Sequence, residues 1–117
     1  MTHEEKKIGK IVEELTMFFF GVGADHIESS IDRDGMDVVI TMESNYSPEY
    51  AQELSRLSEF LNEPKNDGVE DIYWELAGSG DPGETSQLLL LGMMLDKAEV
   101  TITDTKVNLK LYKEIII

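Results

Sequence analysis

The 117 residues match the usual size of one domain, so we expect a single α+β domain over residues 1–117, with ordinary contents of 41% hydrophobic and 29% charged residues. No run approaches the roughly 18 apolar residues of a membrane span. Residues 1–5 show no signal-peptide pattern, so we expect a cytoplasmic location. The chain has no cysteine, so we expect neither disulfides nor thiolate metal ligands. The 24 acidic and 10 basic residues give a net charge of −14, which argues against nucleic acid or an anionic membrane as a partner and would steer a basic protein toward the surface.

The first element is an amphipathic helix predicted over residues 4–20. Gly21 and Gly23 mark its end. Three consecutive phenylalanines cannot all face one side, so we expect two of them in the core and Phe20 on a second surface or exposed. Apolar residues recur at helical spacing at Ile8, Ile11, Val12, Leu15, Phe18, Phe19 and Val22.

A β-hairpin follows, with strands predicted at residues 26–31 and 36–43. Alternating residues give each strand one apolar face, formed in the second strand by Val38, Ile40 and Met42. The intervening turn, Asp32–Gly35, contains the dipeptide Asp34-Gly35, a strong hairpin signal.

A second helix is predicted to begin with Ser47 as its N-cap and Pro48 in the first turn, and to end at Pro64. After a polar loop, residues 71–76 fit either a short helix or a strand. The apolar stripe of the second helix is formed by Tyr50, Ala51, Leu54, Leu57, Phe60 and Leu61.

The chain ends with another helix and another hairpin. A glycine-rich turn at residues 78–83 leads into a helix over Glu84–Leu95, which is apolar on most of its circumference and is therefore expected to be buried. Residues 98–103 and 107–112 then alternate as two strands of a half-buried antiparallel pair.

These elements predict an α+β two-layer sandwich. Its sheet would be mainly antiparallel, formed by the two hairpins, with about three helices on one face. A helix followed by a hairpin occurs twice, although the two units agree in plan and not in residues.

The element order resembles the GHKL, or histidine-kinase-like, ATPase fold over roughly residues 8–113, and looks closest to the anti-sigma-factor serine kinases. In that family the first helix carries a Glu, then an Asn four residues later. Glu14 and Leu15 match the start of this motif, whereas Phe18 stands at the Asn position and Val22 where a His is common. The stretch from Leu95 to Val100 matches the end of the family's last helix.

The other positions that face nucleotide in the family also differ. Ser44, followed by Asn45, stands where the resemblance places an adenine-binding Asp and a glycine motif. Thr85 and Gln87 stand where it places phosphate-contacting glycines. Magnesium requires oxygen ligands, which Phe18 does not supply, and phosphates require a close backbone approach, which the side chain of Gln87 obstructs.

The resemblance, together with the replacement of the family's nucleotide-binding residues, favours a non-catalytic regulatory or protein-interaction domain that has lost ATP binding. No cofactor is then expected, and Glu14, Phe18, Ser44, Asn45, Thr85 and Gln87 are positions of a degraded pocket. The partner would be another protein or a second copy of the chain, bound through the face near the first helix. Core packing is the alternative for the aromatic residues of that face.

Two alternatives remain. A divergent kinase of the anti-sigma type would bind Mg-ATP and use Glu14 as a general base; otherwise Glu14 is expected to be a solvated helix-face residue. The second alternative is an α+β module of unrelated origin. The only histidines, His3 and His26, lack the neighbours of a metal site, so no metal is expected.

Overall fold

The computed structural model describes residues 3–62, 88 and 91–115. Helix α1 spans His3–Gly21 and precedes the hairpin of β1 (Ile27–Asp34) and β2 (Asp37–Asn45). A 3-10 turn (Pro48–Tyr50) leads into the short helices α2 (Ala51–Ser55) and α3 (Leu57–Leu61). A second hairpin of β3 (Lys97–Ile102) and β4 (Lys106–Glu114) follows.

Helix α1 ends at the predicted glycines through a Schellman motif. Gly23 has a left-handed backbone with φ of 87°. The backbone N–H of Ala24 donates to the Phe19 carbonyl at 3.0 Å, and that of Gly23 donates to the Phe20 carbonyl at 3.1 Å. This is the six-to-one and five-to-two hydrogen-bond pattern that satisfies the last carbonyls of a helix.

The two hairpins form one four-stranded antiparallel sheet in the order β1-β2-β4-β3. The hairpins meet at the central pair β2 and β4, where Ile40 lies opposite Leu111. Both predicted hairpins are confirmed, and β1, β2 and β4 extend beyond their predicted ends, whereas β3 ends one residue before its predicted end. The sheet order is compatible with two hairpins separated by helices.

The turn of the first hairpin is tighter than predicted. Asp34 pairs with Asp37, so only Gly35 and Met36 connect the strands. Gly35 has φ of 62° and Met36 has a negative φ. A positive φ at the first central position alone is typical of a type II′ turn, which suits the twist of a hairpin.

One face of the central strands β2 and β4 is buried against the helices, whereas the edge strand β1 is exposed except at the half-buried Ile27, so the apolar face predicted for β1 was wrong. Alternate residues of β2 and β4 are buried while their neighbours are exposed or half-buried. The described core joins this face to α1, α2 and α3, which confirms an α+β fold. It includes Ile11, Leu15 and Phe19 from α1, Leu54, Leu57 and Leu61 from α2 and α3, and Val38, Ile40, Met42, Val107, Leu109 and Leu111 from the sheet.

The predicted second helix is interrupted, so a single continuous helix was wrong. Arg56, between α2 and α3, has φ of −96° and ψ of −4°, a conformation that breaks the regular helical backbone. The predicted N-cap position of Ser47, directly before Pro48, is confirmed. Its side chain makes no cap bond, while its backbone N–H donates to the Val22 carbonyl at 2.9 Å.

Of the last predicted helix, Leu88 and residues 91–92 are helical, and residues 93–95 are not, so the predicted end at Leu95 was wrong. Leu88, Leu91, Met94 and Leu95 are buried as predicted. The alternative structures for residues 71–76 and the glycine-rich turn at 78–83 lie outside the described residues. Within the described ranges, no helix is long and apolar enough to cross a membrane.

Candidate functional site

The residues predicted for a degraded nucleotide pocket lie on two neighbouring elements. Glu14 and Phe18 belong to α1, while Ser44 and Asn45 end β2. Thr85 and Gln87, at the phosphate end of the predicted pocket, lie outside the described residues.

Glu14 is buried, with a side chain only 2% exposed, and the prediction of a solvated helix-face residue was wrong. Its carboxylate lies 3.4 Å from the Lys10 ammonium, one turn earlier. Lys7, on the same flank of α1, is also buried. The helix is therefore covered over a wider arc than its apolar stripe indicates, and a charged pair lies within that arc.

Phe18 and Phe19 enter the core and Phe20 does not. Phe18 is 9% exposed and its ring centroid lies 5.8 Å from that of Phe19, at a tilted angle. Phe20 is 56% exposed and Met17, three residues before it, is 44% exposed. The predicted division of the three phenylalanines is confirmed, and α1 presents an apolar pair on its outer side.

Ser44 and Asn45 are engaged with the chain's own backbone. The buried Ser44 hydroxyl donates to the Asn45 carbonyl at 2.8 Å. The Asn45 side-chain carbonyl accepts from the backbone N–H groups of Asp25 and His26 at 3.0 and 3.1 Å, and its amide donates to the Asp25 carboxylate. Asn45 thus holds the connection between α1 and β1.

An open groove lies between the end of α1 and the α2–α3 segment. Its volume is about 400 Å³. We name it the α1–α2 groove, and it is lined by Phe18, Gly21, Val22, Tyr50, Gln52, Glu53, Arg56 and Phe60. Aromatic and aliphatic side chains with a few polar groups are typical of a binding surface.

Negative charge exceeds positive charge beside the groove. The Arg56 guanidinium lies 4.8 Å from the centroid of the Phe60 ring and 3.8 Å from the Glu59 carboxylate, so its charge is partly compensated. Glu53 lines the groove, Glu49 lies one turn before it, and both are exposed. The carboxyl end of α1 adds partial negative charge, because its last turn carries no basic residue.

The solvent face of the sheet has its own charge pairs. The Lys106 ammonium donates to the Glu43 carboxylate at 2.8 Å, and this bond holds the pKa of Glu43 below its ordinary value and raises that of Lys106. Lys97 lies 3.1 Å from Glu99 and likewise lowers the pKa of Glu99. These pairs are exposed, and none of their residues lines the α1–α2 groove.

The described residues contain no group of three or more histidine or carboxylate side chains placed to hold a metal ion. His26 is exposed, and its Nε2 lies 3.8 Å from the Glu28 carboxylate. The His3 side chain lies outside the described set.

The α2–α3 wall of the groove was not predicted as a site. Tyr50 and Phe60 were predicted as part of a core stripe, but both are only half-buried and line the groove. Helical periodicity shows which residues share a face and not how much of that face a neighbouring element covers. The available signal was the pair of aromatic residues at the two ends of the stripe.

The chain matches no family model, no curated protein and no solved structure.

Proposed function

We propose that the chain is a non-catalytic regulatory domain of the cytoplasm that acts by binding another protein. It would be built on a histidine-kinase-like ATPase frame that no longer binds nucleotide. The observation that carries the proposal is the open α1–α2 groove, which lies at the end of the helix that exposes Met17 and Phe20. Exposed apolar surface of this kind is typical of protein contacts.

The state of the predicted pocket supports the loss of nucleotide. Phe18 packs in the core and offers no oxygen ligand. The polar groups of Ser44 and Asn45 are hydrogen-bonded to nearby backbone and to Asp25. An adenine amino group would have to compete with these bonds, which costs about 1 kcal/mol or more for each bond lost.

Isothermal titration calorimetry with Mg-ATP tests the loss of nucleotide binding. The proposal predicts no saturable heat at millimolar nucleotide, because Phe18 offers magnesium no ligand and the polar groups of Ser44 and Asn45 are already hydrogen-bonded. Saturable binding in the micromolar range would overturn it. Calorimetry with added EDTA is the control, since binding through magnesium would then disappear.

A divergent ATP-binding kinase is the second candidate, and the burial of Glu14 favours it. A buried carboxylate on the first helix is a possible general base, since groups of this kind are common at catalytic sites. This candidate predicts nucleotide-dependent thermal stabilisation that Glu14→Gln retains while phosphotransfer is lost. The exposed neighbour Glu13 provides a matched control, Glu13→Gln. No thermal shift with any nucleotide would count against the kinase.

A further inference from the structure

We propose that the partner bound in the α1–α2 groove is a basic amphipathic segment of another protein. Its apolar side chains would pack on Phe18, Tyr50 and Phe60, and its lysine or arginine side chains would face Glu53 and the carboxyl end of α1. The inference rests on the proposed function and names the chemistry of its partner.

The apolar half of the match comes from the groove floor. Phe18 of α1 and Val22, just after its end, supply one wall, and Tyr50 and Phe60 supply the other. The groove is open along one side, and its volume of about 400 Å³ suits a few side chains of an extended or helical segment. Grooves of this form take the apolar face of an amphipathic helix.

The charged half of the match comes from three features with the same sign. Glu53 is an exposed carboxylate that lines the groove, and Glu49, one turn before it in the chain, is also exposed. The carboxyl end of α1 lies on the other side, where a cation is favoured by the helix dipole. The one basic residue of the lining, Arg56, is paired with Glu59 and stacked on Phe60.

The charge of the whole chain acts in the same direction. A net charge of −14 repels an acidic segment and a second copy of this chain, and steers a basic segment toward the surface. Local and overall charge therefore select the same partner.

Gly21 allows the groove to be blocked without disturbing the fold. It lines the groove, and a Cβ atom placed on it would meet no other atom within 4 Å. Gly21→Trp would therefore fill the groove from its rim. Gly9 lies on the same helix, is exposed, and has the same free space around an added Cβ, so Gly9→Trp is the matched control.

The experiment measures fluorescence anisotropy of labelled synthetic helical peptides with the full chain. The probes are a leucine–lysine amphipathic peptide, its scrambled form and a leucine–glutamate form. We expect the lysine peptide to bind best, Gly21→Trp to weaken it by about tenfold or more, and Gly9→Trp to leave it unchanged. Glu53→Gln should weaken binding about two- to fivefold, more than Glu28→Gln on β1, which removes the same charge far from the groove.

Equal affinity for the lysine peptide in wild type and Gly21→Trp would overturn the proposal, as would equal binding of the scrambled peptide. A concentration-dependent dimer in sedimentation that Gly21→Trp abolishes would also overturn it, because the occupant would then be a second copy. If neither the lysine peptide nor Mg-ATP binds, the basic amphipathic partner is wrong and the proposed function is not contradicted. Micromolar Mg-ATP binding would instead remove the proposed function.

Discussion

Two asparagine side chains stabilise the connections around the candidate site by accepting backbone hydrogen bonds. Asn45 accepts two backbone hydrogen bonds from the loop between α1 and β1. The side-chain carbonyl of Asn62, at the end of α3, accepts from the backbone N–H of Ala98 at 3.1 Å and so attaches α3 to β3. The α1–α2 groove depends on both connections, because they position the helices that form its walls.

We expect Asn45→Ala to lower the free energy of unfolding by about 1–2 kcal/mol, because two backbone N–H groups lose their acceptor. Urea denaturation measures the change. Asn108→Ala is the control, since Asn108 lies exposed on β4, and should change stability by less than about 0.5 kcal/mol. Equal effects of the two substitutions would contradict the role given to Asn45.

The ion pair of Glu43 and Lys106 predicts a pH dependence. Because the hydrogen bond from Lys106 lowers the pKa of Glu43 from 4.5, the pair stabilises the fold above that value and loses its contribution as the pH falls through the lowered pKa. Both side chains are exposed, so the effect on stability is small.

A carboxyl-detected NMR titration measures this pKa directly. Lys106→Gln should return the pKa of Glu43 toward its ordinary value, whereas Lys97→Gln should instead raise the lowered pKa of Glu99. An unchanged pKa of Glu43 in Lys106→Gln would show that the ion pair is not formed in solution.

At the scale of elements, the end of the last helix packs closely on α3. A Cβ atom on Gly92 would lie 2.1 Å from the Phe60 backbone oxygen and 2.9 Å from the Cα atom of Leu61. Only a glycine permits this backbone approach. The same contact positions Phe60, whose ring lines the groove.

We expect Gly92→Ala to destabilise the chain by about 2 kcal/mol or more, because backbone must move to admit the methyl group. Gly9→Ala should instead stabilise it by about 0.5–1 kcal/mol, since Gly9 is an exposed residue within α1 with free space around it. Thermal and urea unfolding compare the two. A stable Gly92→Ala variant would contradict the close packing of the last helix on α3.

The hairpins were predictable because burial on one face imposes a two-residue alternation on β2 and β4. The burial of Glu14 was not, because hydrophobic periodicity assigns a charged residue to solvent even when Lys10 lies within ion-pair distance. The clamp by Asn45 spans 20 residues of sequence, and local patterns contain no sign of it. The groove was not predictable for the same reason, because it depends on the distance between α1 and α2 in the folded chain.

At the scale of the whole molecule, apolar surface and negative charge occur together. The solvent face of the sheet is polar and charged, while the helical side carries the groove, Met17 and Phe20. Further exposed apolar side chains lie on β1, on β3 and in the first hairpin turn, at Ile31, Ile102 and Met36. A chain with a net charge of −14 that retains this apolar surface is suited to a basic partner and poorly suited to a triphosphate. We therefore propose that a partner is recognised at the groove and not at the positions predicted for a nucleotide.

The most direct test is a two-dimensional amide NMR titration of the full chain, first with Mg-ATP and then with the leucine–lysine peptide. We expect millimolar Mg-ATP to leave the amide signals of Glu14, Ser44 and Asn45 unchanged, and the peptide to shift those of Gly21, Val22 and the α2–α3 segment. Saturable shifts at Glu14, Ser44 and Asn45 with micromolar Mg-ATP would contradict this expectation.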